Sequence, residues 1–502
     1  MAPLDLNTPV GVVGAGTMGA GIAQVAAVAG HQVRIHDDIP RVAAETIDRI
    51  QHQLARLSRK GRIDAGTAER AGSALTAVTS ITDLAGCGLV VEAIVEDLPA
   101  KQELFSRLEA VCGPDAILAS NTSSLSITDI AAELDHPERV AGLHFFNPAP
   151  LLPLVEVVRG EATSQAVADV LSDSAAAWGK QPVQCTSTPG FIVNRVARPY
   201  YAEAFRLLAD GLIDPPTLDA VLREAGGFRM GPCELTDLIG QDVNAAVTRS
   251  VWKAFNRDPR FEPSALQDEM VAEGRLGQKS GGGFYEGTSK PPPATAGTCP
   301  TPETVTANGG GGPLEPLLER LERSNVRVRR TRDLGPIRIR PARDVVMQLT
   351  DGRTAAQITA DTGETTILID LALNFGSARR IAIAAPPDAP PAAVELAAGC
   401  LQAAGADVTV VADTPGLVVA RTVAMLAAFG SDAVAAGVAS ARDVDKAMRL
   451  GVNYPRGPVE WGEDLGWDWV AGVLDALSDL DALRYRVPDH LRQQPPEAAS
   501  NG

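Results

Sequence analysis

The feature that most constrains this chain is a glycine-rich loop between a short apolar strand and a helix of small residues. The predicted strand Val10–Val13 runs directly into Gly14-Ala-Gly-Thr-Met-Gly19, and a run rich in alanine and valine follows. A second predicted strand, Val33–His36, ends at Asp37. A glycine loop in this setting, with an acid about 20 residues further on, is typical of a parallel α/β sheet that binds a dinucleotide.

Each part of the loop has a physical reason. Gly14 permits the tight turn, Gly16 lets the backbone approach a pyrophosphate, and Gly19 lets the helix pack closely on the strand. The helix N-terminus then faces the phosphates, and Asp37 accepts hydrogen bonds from the adenine ribose. Because a carboxylate repels a 2′-phosphate, the sequence favours NAD over NADP. Arg34 and Arg41, which lie near Asp37 in the sequence, leave NADP open as the cofactor. The alternative to dinucleotide binding is a glycine-rich turn that binds no ligand.

A histidine and a glutamate occupy two later apolar strands. His144 ends the strand that begins at Val140, and Glu156 lies inside the strand Leu154–Val158. Oxidation of a secondary alcohol needs a base for the hydroxyl proton, and a histidine oriented by a carboxylate suits that task. His144 alone would more often be a buried structural residue, but its spacing from Glu156 and the preceding glycine loop favour catalysis. The other five histidines are expected at the surface or in loops.

Polar residues follow two further predicted strands. Glu92 and Glu96 lie at the end of one strand, and the segment Ser120–Ser124 follows the next one. Since ligands of open parallel sheets bind beyond the carboxyl ends of the strands, these residues are expected to line the site. Ser123 is the strongest functional candidate. Ser124 and the serine at position 126 are equally well explained as caps of the following helix.

The densest basic cluster of the first half is Arg56-Leu-Ser-Arg-Lys60-Gly-Arg62, at the end of the amphipathic stretch Ile47–Leu57. On an acidic protein, such a cluster is a candidate receiver for the phosphates of a bulky anionic substrate. A solvated helix end explains it equally well.

Composition narrows the classes of function. The 502 residues suggest three or four domains. The formal net charge of −17 argues against nucleic-acid or membrane-surface partners, because both are polyanionic. The six cysteines show no C-x-x-C spacing and have no neighbouring histidines, so neither a metal site nor a disulfide framework is expected. Without a secretory signal or a long apolar run, the predicted location is cytoplasmic.

Together these motifs resemble the L-3-hydroxyacyl-CoA dehydrogenases, including the bacterial 3-hydroxybutyryl-CoA dehydrogenases. The resemblance covers residues 8–286. Besides the glycine loop and Asp37, it rests on Val90-Val-Glu-Ala-Ile-Val-Glu96, Ser120-Asn-Thr-Ser-Ser124, Gly142-Leu-His-Phe-Phe-Asn-Pro148, Pro189-Gly-Phe-Ile-Val-Asn-Arg195 and Gly277-Gln-Lys-Ser-Gly-Gly-Gly-Phe-Tyr285.

The resemblance implies a role for each matched residue. His144 would be the general base and Glu156 its partner, while Ser123 and Asn194 would contact the oxygens of the substrate. Lys60 falls where the family often has a lysine that contacts the CoA moiety. The residues implied to bind the cofactor NAD are Gly14, Gly16, Thr17, Met18, Gly19, Asp37, Glu96, Lys101 and Asn121.

The second half of the chain repeats part of the first half. Matching residues are always separated by the same number of positions as Gly190 and Gly416, and we call this separation the repeat offset. Thr188-Pro-Gly190 returns as Thr414-Pro-Gly416, and identities continue at the same offset. The chemistry is not repeated: Glu156 matches Ala382, Asn194 matches Ala420, and neither a second glycine loop nor a counterpart of His144 is expected. The stretch before this repeat resembles the extra module of long bacterial 3-hydroxyacyl-CoA dehydrogenases of the phenylacetate-degradation type.

The predicted fold is an α/β Rossmann-like N-terminal domain followed by an all-α C-terminal domain, with a second, reduced α/β plus all-α repeat. The predicted boundaries are 1–188 for the NAD-binding domain, 189–286 for the helical domain, 287–313 for a linker, 314–412 for the small α/β module, 413–487 for the second helical domain and 488–502 for a disordered tail.

These inferences lead to one main hypothesis, NAD-dependent oxidation of (3S)-3-hydroxyacyl-CoA to 3-oxoacyl-CoA, with a short or dicarboxylic acyl chain such as 3-hydroxybutyryl or 3-hydroxyadipyl. The alternatives are a dehydrogenase of the same fold acting on a 3-hydroxy acid without CoA, and a non-catalytic protein that binds NAD or CoA. Residues 413–487 are expected to supply, within one chain, the partner face that short family members obtain by dimerising. A homo-oligomer is also possible.

Overall fold

The structure, a computed structural model, describes residues 2–287, 290–331 and 335–492. The chain divides into two compact units. The first unit comprises the chain up to Arg195 together with Ala436–Val452, and the second comprises Val196–Ala435 and the chain from Asn453 onward. The predicted disordered tail, 488–502, is wrong at its start, because Asp489–Arg492 form a short helix with Leu491 buried, and the residues beyond Arg492 lie outside the described ones.

The first unit is built on an eight-stranded sheet of order β3-β2-β1-β4-β5-β6-β7-β8. All neighbouring strands are parallel except β6 and β7, which run antiparallel. The six inner strands are almost wholly buried, as expected for a sheet covered on both faces, whereas the edge strands β3 and β8 are partly exposed. Their bounds are β1 Val10–Val13, β2 Val33–His36, β3 Leu75–Val78, β4 Leu89–Glu92, β5 Ile117–Ser120, β6 Val140–Phe145, β7 Leu154–Arg159 and β8 Gln181–Thr186.

Seven helices accompany these strands along the chain. They are α1 Thr17–Ala29, α2 Pro40–Arg59, α3 Ala65–Ser73, α4 Leu98–Val111, α5 Ile127–Ile130, α6 Gln165–Ala177 and α7 Val193–Val196. Ser126 caps α5 by accepting a hydrogen bond from the backbone N–H of Asp129, which confirms the capping explanation for that serine. His31 and His36, expected at the surface or in loops, are instead buried, because His31 lies against Trp178 and His36 lies in β2.

The second unit contains a seven-stranded mixed sheet of order β10-β9-β11-β12-β13-β14-β15. The bounds are β9 Thr304–Asn308, β10 Arg327–Arg330, β11 Arg338–Ala342, β12 Val345–Leu349, β13 Thr365–Ile369, β14 Arg380–Ala384 and β15 Asp407–Val410.

Strand β9 lies within residues 287–313, which the sequence predicted to be a linker. Val305 and Ala307 alternate with threonines and are fully buried, so a period-two pattern was hidden by the surrounding prolines and glycines. The small α/β module therefore begins at Thr304 rather than at residue 314.

The remaining helices surround this sheet or form the helical part of the second unit, except α17, which belongs to the first unit. Gly240, with φ of 105°, separates α10 from α11. The bounds are α8 Arg198–Ala209, α9 Pro215–Glu224, α10 Pro232–Ile239, α11 Gln241–Ala254, α12 Ala265–Ala272, α13 Glu315–Glu322, α14 Ala355–Thr362, α15 Pro391–Ala403, α16 Val419–Ala435, α17 Ala441–Gly451, α18 Pro458–Leu465, α19 Trp467–Ser478 and α20 Asp489–Arg492.

The repeat seen in the sequence is also a repeat of backbone geometry. We call the segment from β5 to α11 the first copy and the segment from β12 to α19 the second copy. Strands β5–β8 and β12–β15 share the same succession of parallel, antiparallel and parallel pairing. Helices α6 and α15 begin and end at the offset that separates Gly190 from Gly416. Phe191 and Leu417, again at that offset, adopt φ of 47° and 49°.

Over the described ranges, no helix is both long enough and apolar enough to cross a membrane.

Candidate active site

The glycine loop between β1 and α1 has the geometry of a phosphate cradle. Gly14 has φ of 95°, and a Cβ there would lie 2.6 Å from the carbonyl oxygen of Ala93. A Cβ at Gly19 would lie 1.8 Å from the carbonyl oxygen of Gly14. Above Gly16, in contrast, no atom lies within 4 Å of the Cβ position. Two glycines are therefore required by packing, while the third leaves open space for a pyrophosphate at the start of α1.

A cavity of about 440 Å³ adjoins this loop and is lined by Gly16, Asp37 and Val95 among others. The Asp37 carboxylate accepts hydrogen bonds from the backbone N–H of Ala15 at 2.9 Å and of Ile39 at 3.0 Å. These bonds hold a negative charge at the end of β2, where an adenine ribose is recognised. Arg34 donates instead to the carbonyl oxygens of two residues at positions 83 and 85.

A buried ion pair supports the ends of β4 and β5. Glu92 is fully buried and accepts hydrogen bonds from Lys101 Nζ at 2.5 Å and from Ser120 Oγ at 2.6 Å. Lys101 Nζ also lies 3.5 Å from Glu96 Oε2. The resemblance placed Lys101 among the cofactor residues, and the sequence indicated Glu92 only as a strand-end residue, although the apolar strand around it already indicated burial.

Glu96 organises the loop that follows β5. Its Oε1 accepts hydrogen bonds from Thr122 Oγ1 at 2.7 Å, from Ser124 Oγ at 2.9 Å and from the Ser123 N–H at 3.0 Å. Although burial raises the pKa of Glu96, these donors and the charge of Lys101 together bring it below its ordinary value. Glu96 is thus a carboxylate at neutral pH. Ser124 serves this carboxylate rather than capping α5.

His144 and Glu156 form the pair that the spacing predicted. They lie opposite each other in the antiparallel register of β6 and β7, and His144 Nδ1 donates to Glu156 Oε2 at 2.7 Å. The side chains of both residues are at most 7% exposed. Because Nδ1 is committed to the carboxylate, Nε2 is the ring nitrogen left for a proton of the substrate.

The second oxygen of Glu156 binds the next segment of the chain. Oε1 accepts hydrogen bonds from the backbone N–H groups of Ile192 at 3.1 Å and Val193 at 3.0 Å, at the start of α7. The next residue, Asn194, donates from Nδ2 to the Ser123 carbonyl oxygen at 3.4 Å. One carboxylate therefore fixes both the histidine ring and the turn that carries Asn194.

Asn121 and the loop around Ser123 complete the arrangement. The Asn121 side chain accepts a hydrogen bond from the backbone N–H of Phe145, the neighbour of His144, at 2.8 Å. Ser123, His144, Glu156 and Asn194 are thus linked, directly or through one residue, at the carboxyl ends of β5 and β6. This arrangement can hold an alcohol oxygen next to a base, with a carboxylate behind the base.

The basic cluster lies on a separate cavity of about 530 Å³ in the first unit. Its walls include Arg56, Lys60 and Arg62 from the end of α2 and the following loop, together with Lys180. The residues that line this cavity include no carboxylate. Lys180 is occupied, since its Nζ donates to the carbonyl oxygens of Ala149 and of residue 152. Arg56, Lys60 and Arg62 are exposed and are available to bind an anion.

In the second copy, the position that corresponds to His144 is occupied by Asp370. Asp370 follows β13 at the repeat offset from His144, and its backbone N–H donates to the carbonyl oxygen of Ala382, the residue that replaces Glu156. Asp370 Oδ2 accepts hydrogen bonds from the backbone N–H groups of Val418 at 3.0 Å and Val419 at 2.8 Å. The sequence concealed this relation because aspartate shares no chemistry with the histidine it replaces.

Comparisons with known proteins agree with this geometry. The family model described as "3-hydroxyacyl-CoA dehydrogenase, NAD binding domain" matches residues 9–188. The C-terminal domain model of the same family matches twice, at residues 190–287 and 416–497. The model described as "3-hydroxybutyryl-CoA dehydrogenase reduced Rossmann-fold domain" matches residues 347–415.

Individual relatives extend over the same regions. The chain is 45% identical over 486 residues to a protein of Escherichia coli K12 named 3-hydroxyadipyl-CoA dehydrogenase, covering 97% of each chain. A mitochondrial hydroxyacyl-coenzyme A dehydrogenase of Sus scrofa is 42% identical over 281 residues, covering 55% of this chain and 90% of that protein. The crystal structure of 3-hydroxybutyryl-CoA dehydrogenase from Escherichia coli K12 covers 98% of both chains with a TM-score of 0.89 and 44% identity.

Proposed function

This chain belongs to the 3-hydroxyacyl-CoA dehydrogenase family, and from that premise we propose how its residues divide the reaction among them. It is an oxidoreductase that uses NAD to oxidise the hydroxyl group of a 3-hydroxyacyl-CoA. The single observation that carries the residue assignment is the buried hydrogen bond from His144 to Glu156.

His144 is the general base in this proposal. The hydroxyl proton of the substrate passes to Nε2, while Nδ1–H stays bonded to Glu156, whose carboxylate stabilises the imidazolium that forms. Ser123 and Asn194, joined by the bond from Asn194 to the Ser123 carbonyl, orient the hydroxyl and the thioester carbonyl. Bound NAD supplies the hydride acceptor. The protein contributes position and electrostatics.

The open space above Gly16, the charge of Asp37 and the adjoining cavity support the placement of NAD along the glycine loop. The residues proposed to hold it are those implied by the sequence: Gly14, Gly16, Thr17, Met18, Gly19, Asp37, Glu96, Lys101 and Asn121. Lys101 acts indirectly, since it is only 1% exposed and its charge is spent on Glu92 and Glu96.

The basic cavity is the proposed site for the phosphates of CoA. Arg56, Lys60 and Arg62 present three cations on a wall without carboxylates, which suits a polyanionic nucleotide tail. The acyl chain we propose is the dicarboxylic 3-hydroxyadipyl group, because a relative that aligns over both halves of the chain carries that name. The monocarboxylic 3-hydroxybutyryl group is the alternative, named for the solved structure of matching length.

Formation of NADH from each CoA ester tests this assignment, with NADP and the free hydroxy acid as controls. We expect turnover of the (3S)-CoA esters with NAD, higher kcat/KM for 3-hydroxyadipyl-CoA, and loss of at least 1,000-fold in kcat for His144→Gln. Equal turnover of the free acid would contradict the role of CoA. An active His144→Gln variant would contradict the role of His144.

We also propose that the second helical copy replaces the partner subunit of a dimer. Within the second unit, Glu203 on α8 is fully buried and accepts hydrogen bonds from Arg421 Nε on α16 at 3.1 Å and from Tyr485 at 2.8 Å. Phe261 and Phe429 are also in contact, with ring centroids 5.1 Å apart. A chain ending at Gly287 would leave Glu203 paired with Arg206 but without Arg421 and Tyr485, and would uncover the apolar face that holds Phe261. It should be insoluble or self-associate, and a stable, fully active monomeric fragment would contradict the proposal.

The proposed location is the cytoplasm. All six cysteines are free thiols, and five of them are buried, which is typical of a protein kept in a reducing compartment. Fractionation of the native host tests this, and recovery of the enzyme outside the cytoplasm would contradict it.

A further inference from the structure

The second unit contains a cavity of about 300 Å³ that none of the proposed catalytic or cofactor residues lines. Its walls come from one face of α8, from Thr248 on α11 and from the segment 260–267 that leads into α12. Three aromatic rings, Tyr201, Phe205 and Phe261, give these walls an apolar character. We call this space the Arg198 cavity after the residue that lines one end of it.

Arg198 is a buried cation without a carboxylate partner. Arg198 is only 5% exposed, and among the described residues its guanidinium forms no ion pair. Nη1 donates to Thr248 Oγ1 at 3.0 Å, and the guanidinium carbon lies 5.0 Å from the centre of the Tyr201 ring. The Nε–H group is buried and has no hydrogen-bond acceptor in the described part of the chain.

Each of the other arginines that line the cavity is neutralised. Arg206 pairs with Glu203 at 2.8 Å, and Arg260 pairs with carboxylates at positions 258 and 432. Arg484 pairs with Glu262 and with the carboxylate at position 481. The pKa values follow this division: burial lowers the pKa of Arg198, whereas the pKa of Arg260, which burial also lowers, is raised overall by its two carboxylates.

A buried charge is stable in a protein when it is paired, and this one is not paired by the described chain itself. A planar guanidinium binds a carboxylate through two parallel hydrogen bonds, and an apolar wall suits a carbon skeleton rather than a hydrated ion. Glu262 also lines the cavity, which disfavours an anion with two charges such as phosphate. The chemistry of the site therefore selects one charge and an apolar body.

We propose that the Arg198 cavity binds a small organic carboxylate, whose carboxylate group pairs with Arg198 and whose body packs against Tyr201, Phe205 and Phe261. This would be a second ligand site on the enzyme, in addition to those for NAD and the acyl-CoA. It does not depend on the roles proposed for His144 and Glu156.

Calorimetric titration of the full-length enzyme, saturated with NAD and acetoacetyl-CoA, tests the proposal with three probes. Benzoate carries both features, benzamide lacks the charge, and inorganic phosphate lacks the apolar body. We expect benzoate to bind at least ten times more tightly than either of the others. Equal binding of benzamide, or the absence of benzoate binding, would overturn the proposal.

Variants locate the site. Arg198→Gln should weaken benzoate binding at least tenfold, Arg198→Lys should weaken it less, and Phe261→Leu should weaken it while leaving Arg198 in place. The matched control is Arg275→Gln, an exposed arginine outside the cavity, which should leave binding unchanged. Since NAD binding reports on folding, the comparison uses only variants that retain it. Wild-type affinity for benzoate in both Arg198 variants would overturn the assignment.

Discussion

In the first copy of the repeat, the Glu156 carboxylate holds both the His144 ring and the backbone N–H groups at the start of α7, whereas in the second copy the Asp370 carboxylate holds backbone N–H groups at the start of α16. The helix start is the shared feature. The base is present only in the first copy. In the second copy, Ala382 on β14 replaces Glu156 on β7, and the carboxylate belongs instead to Asp370, at the position equivalent to His144.

This difference separates two roles of Glu156, binding the backbone N–H groups at the start of a helix and orienting the His144 ring. Holding the start of a helix requires a carboxylate within reach of its N–H groups, and either strand can supply it. Orienting a base requires the carboxylate and the histidine to face each other across β6 and β7. In the second copy a carboxylate still binds the start of the helix, but no histidine is oriented by it, so the copy retains the fold without the chemistry.

The largest effect that sharpens this comparison is expected for Glu156→Gln. An amide cannot stabilise an imidazolium as a carboxylate does, so kcat should fall about 1,000-fold. The amide oxygen can still accept from the start of α7, so NAD binding and the melting temperature should change little by comparison. Steady-state NADH formation and thermal unfolding measure the two effects. A variant that melts early but keeps its kcat would show that Glu156 serves only the helix.

Asp370 should make the free energy of unfolding depend on pH. Burial raises its pKa to about 6 despite the backbone donors around it. A carboxyl group with a raised pKa in the folded state stabilises the protein below its unfolded pKa, and this contribution is lost as the pH rises through 6. The free energy of unfolding of the wild type relative to Asp370→Asn should therefore fall by about 3 kcal/mol between pH 3.5 and pH 7.

Denaturant unfolding of the two proteins at several pH values measures this difference. Asp219, whose pKa burial also raises to about 6, is present in both proteins and cancels in the comparison. A difference that is independent of pH would mean that the N–H donors balance burial at Asp370, and one that grows with pH would mean that they outweigh it; either result would contradict the prediction.

A smaller, symmetric effect is expected at the glycines that precede the two helix starts. Gly190 and Gly416 have φ of 74° and 69°, and alanine in this region costs about 1–2 kcal/mol. Gly190→Ala and Gly416→Ala should lower the free energy of unfolding by similar amounts, measured in denaturant. Only Gly190→Ala should also lower kcat, because it shifts the turn that carries Asn194. An equal loss of kcat in both variants would break the proposed division between the copies.

The sequence predicted the parts of the site in which chemistry fixes the residue type. The glycine loop, Asp37 and the spacing of His144 from Glu156 could be recognised because each step of dinucleotide binding and proton transfer needs those groups in that order. The constant offset between the two halves predicted the second helical copy from backbone requirements instead, since Thr188-Pro-Gly190 recurs as Thr414-Pro-Gly416.

Other features depend on tertiary contacts that no local pattern encodes. Asp370 was missed because its role follows from where β13 ends relative to α16. Glu92 was noted only as a strand-end acid, because its importance follows from the burial of Lys101 beside it. Strand β9 was missed because its short alternating pattern lies among prolines and glycines, and its partners β10 and β11 come later in the chain.

The most direct test of the central claim is a matched pair of substitutions at equivalent positions, His144→Asn and Asp370→Asn, compared by steady-state NADH formation from the same (3S)-3-hydroxyacyl-CoA. We expect His144→Asn to lose at least 1,000-fold in kcat while Asp370→Asn stays within about twofold of the wild type. Comparable losses in both variants, or substantial activity in His144→Asn, would contradict the assignment of catalysis to the first copy alone.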